Sequence, residues 1–374
     1  MTNKKRIVIK IGSSSLTSLH GEISRRKLKR IVEEVVELKE EGHEVLLVSS
    51  GAVAAGYRKL GCVDRPTALT EKQAAASIGQ GLLMEAYSEY FLSHGYVASQ
   101  ILITRSDFSD EKRYMNARNT LKILLDRGIV PIVNENDTVT IDRLKFGDND
   151  TLSAKVAGLV DADQLIIMSD IDGLYDSDPR KNPHAELLLN VHEITSEIED
   201  SAGDPGSGVG TGGMKSKIEA FKITMASGIP AFLGKSGIKG LIGNAVSGTA
   251  RGTYFNPSTE RDGLDHRKQW IAFNSGPEGS VTVNDKAKTA IVEHSGELHA
   301  QHVIKVSGRF KHGAVVRLKD DRGEEIGLGI VNYSSEQLSN FRGLDVTGMD
   351  QDAKAIVDSE GLVCRLDFPM PAGV

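Results

Sequence analysis

Ile7-Val8-Ile9-Lys10-Ile11-Gly12-Ser13-Ser14, matched further on by Glu44-Val45-Leu46-Leu47-Val48-Ser49-Ser50-Gly51, is the stretch on which the fold turns. Each half is a short continuous apolar run ending in small, polar turn residues, the pattern of a strand buried on both faces. Between them Leu28, Ile31, Val32, Val35 and Leu38 recur at helical spacing, and Gly42 closes that helix. Strand, helix and strand in this order give a crossover unit and parallel pairing. Further runs at Val97 to Ile103, Ile129 to Val133, Gln164 to Met168 and Ile229 to Leu233 extend the sheet. Helices are expected from Thr70 to near Gly95 and over Tyr114 to Arg127. The fold class is therefore α/β, a mainly parallel open sheet whose strand ends carry loops to one rim, where ligands usually sit.

Near Phe255 the rhythm changes. Asn256 to Lys268 is polar, and beyond Trp270 the pattern becomes short strands with tight turns. The chain thus divides into a first domain over 1–256, a linker over 257–277, a small β-rich domain over 278–360 and a tail over 361–374. In the small domain strands are expected at Ser280 to Val283 and Val303 to Val306, with a helix from Asp285 to His294. A hairpin of Ala314 to Lys319 and Glu325 to Tyr333 turns at Asp320-Asp321-Arg322-Gly323.

Across 374 residues, 39% hydrophobic and 26% charged, there is material for two cores. A net charge of −6 argues against a chain whose main partner is nucleic acid or an anionic membrane. Cys62 and Cys364 stand in no metal-binding or disulfide pattern, as expected of a reducing compartment. With neither a signal-type core nor a membrane-length apolar run, a cytoplasmic location is expected.

The densest chemical signal is Gly210-Thr211-Gly212-Gly213-Met214-Lys215-Ser216-Lys217, where a glycine loop passes directly into a helical pattern bearing two lysines. Bare backbone N–H groups and a helix N-terminus together make an anion site, so this stretch reads as a phosphate cradle; a plain surface loop meeting a helix is the alternative. Gly208, Gly210 and Gly213 satisfy G-x-G-x-x-G, but no strand precedes them as a dinucleotide fingerprint requires. Gly234-Lys235-Ser236 mimics a P-loop, with Gly228 one residue too distant. Neither H-R-D nor D-F-G occurs, and His192-Glu193 lacks a zincin's second histidine.

A distributed set remains at the strand ends: Lys10 to Ser14, Ser49 to Ala52, Asn134-Glu135-Asn136-Asp137, Gly147-Asp148-Asn149-Asp150 and Ser169-Asp170. Taken singly, Lys10 also fits a solvated strand end, Asp148 and Asp150 fit helix-start carboxylates, and Ser50-Gly51 fits a tight turn with a helix cap. Taken together they put lysines, acids and glycines on one rim.

In order and spacing, Lys10 to Thr17, Val48 to Gly56, Pro131 to Asp137, Gly147 to Asp150 and Gly210 to Met214 resemble the glutamate 5-kinases of the amino acid kinase family, over about residues 5 to 256. The C-terminal part is similar to the PUA domain of the bacterial enzymes. The resemblance implies an αβα sandwich with an open sheet of eight or so strands. It also implies transfer of the ATP γ-phosphate to L-glutamate, giving L-glutamyl 5-phosphate for proline synthesis. On that footing 1–256 is the catalytic domain and 278–360 the PUA domain. Lys10, Lys217 and Asp150 are the implied catalytic residues, with Asp150 orienting the lysines. Lys10, Ser169, Asp170, Thr211, Gly212, Gly213, Met214, Lys215, Ser216 and Lys217 would hold ATP. Ser50, Asp137 and Asn149 would bind glutamate, the acid suiting an ammonium group and hydroxyl or amide donors suiting carboxylates. Mg²⁺ is implied without a named protein ligand. Ser169 stands where the family commonly has threonine, and Ser13-Ser14 where Gly-Thr-Ser is usual.

Related kinases act on N-acetylglutamate, aspartate, carbamate or uridine monophosphate; the Asn134–Asp137 and Gly147–Asp150 pair and the appended domain favour free glutamate. Expected partners are a second copy, as dimer or tetramer, and glutamate-5-semialdehyde dehydrogenase, which would receive the labile product. Residues 278–374 hold 11 Lys+Arg against 15 Asp+Glu, which speaks against RNA binding unless Lys305, Arg309, Lys311, Arg317 and Lys319 cluster.

Overall fold

A computed structural model describes residues 4–18, 22–140, 149–201, 213–257, 263–292, 297–340 and 355–364. It divides into two compact units, Met1–Gly263 and Leu264–Val374.

In the first unit, strands β1 (Arg6–Ile11), β2 (Glu44–Ser49), β3 (Ala98–Ile103), β4 (Val130–Glu135), β5 (Gln164–Ser169), β6 (Asn190–Val191), β7 (Ala231–Lys235) and β8 (Thr253–Phe255) form one sheet. Its order is β3-β4-β2-β1-β5-β7-β8-β6, parallel throughout except between β7 and β8. The first six sequence runs fall on β1 to β5 and β7. The short strands β6 and β8 escaped the sequence reading, because two or three residues carry no periodicity.

The helices are α1 (Ser13–Leu16), α2 (Arg25–Glu40), α3 (Ala52–Gly56), α4 (Leu69–Ser93), α5 (Arg105–Ser109), α6 (Glu111–Asp126), α7 (Asn149–Leu159), α8 (Ser196–Ser201), α9 (Met214–Ala226) and α10 (Leu241–Val246). Alternation along β1 decides what each face does. Ile7, Ile9 and Ile11 join the core formed with α2, α4 and α10. Val8 and Lys10 therefore face the other side, where Lys10 meets the start of α7. From α2, Leu28, Ile31, Val32, Val35 and Leu38 are all buried, each contributing about 1.5–3 kcal/mol.

One helix crossing needs glycine. A Cβ on Gly56 would stand 1.9 Å from the Ala75 carbonyl oxygen, and one on Gly79 would stand 1.8 Å from that of Ala52. So α3 and α4 touch backbone to backbone. Just before α3, Gly51 adopts φ +102°, a left-handed turn open to glycine at no steric cost.

In the second unit, β9 (Gly279–Val283), β10 (Val303–Gly308), β11 (Val315–Lys319), β12 (Glu325–Ile330) and β13 (Leu362–Cys364) pair in the order β10-β9-β11-β12-β13. Helices α11 (His266–Gln269), α12 (Asp285–Val292) and α13 (Ser335–Asn340) complete it. Two particulars differ from the sequence reading. Part of the segment expected as a linker folds, since α11 runs into a wide turn at Trp270–Asn274 that buries Trp270 and Ile271. Leu362–Cys364, placed in the tail, adds a strand against β12. The β11–β12 hairpin is held by buried Asp320, which accepts from the Arg322 and Glu324 backbone N–H groups and pairs with Lys288 at 2.8 Å.

Candidate active site

The parallel strands β1, β2, β4, β5 and β7 all end on one rim, with Lys10, Ser49, Glu135, Ser169 and Lys235 at or beside their last positions. The centre of the rim is electrostatic. Asp150, fully buried, opens α7 and receives Lys10 Nζ at 2.5 Å on one carboxylate oxygen and Lys217 Nζ at 2.9 Å on the other. Lys10 is 7% and Lys217 6% exposed, so neither is a solvated surface lysine. Burial pushes the Asp150 carboxyl upward, but the two ammonium groups outweigh it and hold the group below the ordinary carboxylate range. The triad is thus one carboxylate between two cations, with a net positive charge buried at the rim.

Lys217 comes from the second turn of α9. Lys215, two residues earlier, lies on the exposed side, as helical geometry requires. The helix begins after Gly213, whose position as N-cap brings no side chain to the first backbone N–H groups. Ser216 Oγ bonds the Gly213 carbonyl at 2.8 Å and lies 3.4 Å from Asp150. Thr211 and Gly212, with most of the preceding glycine loop, lie outside the described residues, as do Gly147 and Asp148. Over β1, an added Cβ on Gly12 would come 3.8 Å from Lys10 Nζ and 3.6 Å from the Met168 carbonyl oxygen. Gly12 therefore leaves space directly beside the ammonium group. On the same rim Ser169 donates to Asp170 at 3.1 Å, and the Ser169 carbonyl accepts from the Ser236 backbone N–H.

A second cluster adjoins the first, because Asn149 immediately precedes Asp150. Asn149 Nδ2 lies 2.8 Å from the Ser49 carbonyl oxygen, 3.0 Å from Ser50 Oγ and 3.0 Å from Asn134 Oδ1. Ser50 and Asn134, from two strand ends, and Asn149, from the start of α7, are brought together. Asp137 sits half-buried on the turn that follows β4. Buried Tyr87 supports β2 from α4 through a 3.0 Å hydrogen bond with Ser49 Oγ.

Three supporting residues were not found from the sequence. Lys27 on α2 donates to the Ser14 and Thr17 carbonyls at 2.7 and 2.9 Å, tying down the loop after β1. Gln73 and Gln80 on α4 hold the end of β4 and the segment after it, Gln73 through the Thr140 carbonyl at 3.1 Å and Gln80 through Asn134 at 2.9 Å. Their spacing of seven, two helical turns, is the one signal that could have paired the glutamines.

The chain matches the amino acid kinase family over residues 5–235 and the PUA domain over residues 279–347. It is 63% identical to glutamate 5-kinase 2 of Bacillus licheniformis over 99% of both chains, and 61% identical to glutamate 5-kinase 2 of Bacillus subtilis over 99% of this chain and 98% of that one. Glutamate 5-kinase of Bacillus cereus is 47% identical over 91% and 93%. In fold it is similar to carbamate kinase from Giardia lamblia bound to AMP-PNP, with a TM-score of 0.51 at 17% identity over 69% of this chain and 100% of that chain. With relatives this similar along nearly all of its length, the chain belongs to the amino acid kinase family.

Proposed function

We infer that this chain is a glutamate 5-kinase, moving the γ-phosphoryl group of ATP to the side-chain carboxylate of L-glutamate and releasing L-glutamyl 5-phosphate, the first step of proline biosynthesis. The observation that carries the mechanism is the meeting of Lys10 and Lys217 on Asp150, beside the cluster of Ser50, Asn134 and Asn149.

At neutral pH the acceptor carboxylate is already ionised, with an ordinary pKa of about 4.3, so attack needs no general base. The barrier is repulsion between two anions. Two ammonium groups at the transferring phosphoryl centre reduce it, and they act in a site shielded from water, where charge interactions are strong. Asp150 has both oxygens engaged and a depressed pKa, so its role is to aim the lysines and it takes no proton. The start of α9, Gly213 to Lys217, is suited to the nucleotide phosphates, and Thr211 and Gly212, just before it in the sequence, belong to the same reading. Ser169 and Asp170 hold the nucleotide further along the rim. On the acceptor side, Ser50, Asn149 and Asp137 bind glutamate, Asp137 suiting its ammonium group.

Magnesium bound with the nucleotide would neutralise phosphate oxygens. The donor set fits an ion carried mainly by phosphate and water, since no group of three His, Cys, Asp or Glu side chains gathers among the described residues and Asp150 is committed to lysines.

The acyl phosphate is labile, which supports hand-off to glutamate-5-semialdehyde dehydrogenase. A homo-oligomer and a cytoplasmic location complete the reading. Among the described residues no helix is long and apolar enough to cross a membrane. The test is ATP turnover by the purified chain with L-glutamate, N-acetylglutamate, aspartate, carbamate and uridine monophosphate, with hydroxylamine to trap acyl phosphates. Glutamyl hydroxamate from L-glutamate alone is expected; a higher kcat/KM for any rival overturns the assignment.

A further inference from the structure

The side-chain amides around Asn149 have a polarity that the backbone alone dictates. The Ser49 carbonyl can only accept, so the Asn149 atom 2.8 Å from it is Nδ2. The Glu135 backbone N–H can only donate, so the Asn134 atom 2.9 Å from it is Oδ1. That same Oδ1 receives Asn149 Nδ2 at 3.0 Å, which leaves Asn134 Nδ2 to find an acceptor. It finds Gln80 Oε1 at 2.9 Å, and Gln80 Nε2 in turn faces Gln100 Oε1 at 3.3 Å. Asn134 is buried, so an unmatched donor there is costly. Every amide in the row has one orientation compatible with these neighbours.

We propose that Gln80 is a positioning residue for the acceptor substrate: by accepting from the Asn134 NH₂ that the backbone leaves over, it anchors Asn134 with its Oδ1 on Asn149 Nδ2, so that Asn149 is held with its NH₂ inward and offers its carbonyl oxygen to the amino acid. This rests on the reading of Asn149 as a glutamate-binding residue. The consequence is chemical. An outward carbonyl accepts from an ammonium group and repels a carboxylate, so Asn149 works together with Asp137 on the amino end of glutamate and leaves the carboxylates to the Ser50 hydroxyl and other donors. Gln73, seven residues earlier on the same face of α4, holds the far end of the Asn134–Thr140 segment, so a single helix registers the segment that carries Asp137.

The experiment compares Gln80→Leu, Gln80→Lys and Gln80→Glu with the unaltered chain, measuring kcat, KM for glutamate, KM for ATP and the thermal midpoint. Glutamate keeps an acceptor toward Asn134, lysine presents donors only, and leucine presents neither. The leucine and lysine variants are expected to raise KM for glutamate about tenfold, the scale of one lost buried hydrogen bond, with KM for ATP and kcat within about twofold. The glutamate variant is expected to stay within about threefold of the unaltered chain. Equal changes in both KM values, no change in either, or a glutamate variant as impaired as the lysine one overturns the proposal. If the leucine variant does not fold, the lysine and glutamate pair decides. Asn149→Ala separates the two layers: if it leaves KM for glutamate unchanged, the placement of the acceptor site fails. If it raises that KM while the Gln80 variants do not, only the relay fails.

Discussion

Replacing Asp150 by asparagine removes the one negative charge between two buried ammonium groups while keeping shape and volume. In the native chain the carboxylate lies 2.5 Å from Lys10 Nζ and 2.9 Å from Lys217 Nζ, with none of its surface exposed. An amide there can accept from one lysine, but its NH₂ faces the other, and two cations are left in one pocket. Breaking a buried ion pair from one side costs about 3–5 kcal/mol. For a unit of this size about 2 °C accompanies each kcal/mol, so the midpoint of the first unit should fall by about 6–10 °C. Turnover should fall about 10²–10³-fold, because ammonium groups that are no longer aimed lose the stabilisation of developing charge. The third arm discriminates most sharply. Polyphosphate supplies the missing negative charge, so saturating ATP should raise the melting midpoint of the variant more than that of the unaltered chain. Differential scanning fluorimetry with and without ATP, beside a hydroxamate assay, reads all three. A variant with native turnover and a native midpoint would refute the claim that Asp150 organises the lysines.

Lys217→Ala should lower kcat by at least about 10²-fold with KM for glutamate changed less than about threefold, since the charge matters most as the phosphoryl group moves; initial-rate kinetics decide, and an unchanged kcat removes Lys217 from the catalytic role. The pH dependence follows from the depressed pKa of Asp150. The unfolded chain binds a proton on this group near the ordinary 3.8 while the folded chain resists it, so the stability it contributes is present above 3.8 and lost as pH falls through the lower folded value. Acid titration of the unfolding free energy should therefore show a shallower slope below pH 4 in Asp150→Asn than in the native chain. Gly79→Ala should cost about 3 kcal/mol or more, because the new methyl group would stand 1.8 Å from a backbone oxygen that cannot turn aside; urea unfolding measures it, and a loss under 1 kcal/mol would show that the α3–α4 crossing relaxes easily.

The sheet was legible because its central strands are continuous apolar runs, and β1 and β2 with α2 between them already specify a parallel crossover. Strands β6 and β8 were not, being too short for any period to register. At the site, Lys10 and Lys217 were visible as residue types at the right kind of place, but their convergence was not, since 207 positions of chain separate them. A strand-end lysine also had a solvated reading, and only burial against Asp150 removes it. Gln80 and Gln73 were invisible for a different reason: glutamine on a helix flank is an ordinary surface residue until a partner from another strand meets it. Family resemblance supplied Asn149 as a name, but the direction of its amide comes only from the Ser49 carbonyl beside it.

The bare contact between Gly56 and Gly79 limits how this enzyme can change. Two main chains in direct apposition hold no side chain that can shrink, swing or repack, so the wall bearing Ser50 and the wall bearing Gln80 shift together or not at all. Breadth toward longer or substituted amino acids would then have to arise at the turn from Asn136 to Thr140, which is fastened at its two ends and built from replaceable side chains between them. A library confined to those five positions is a better route to altered acceptor choice than one spread over the helices behind them.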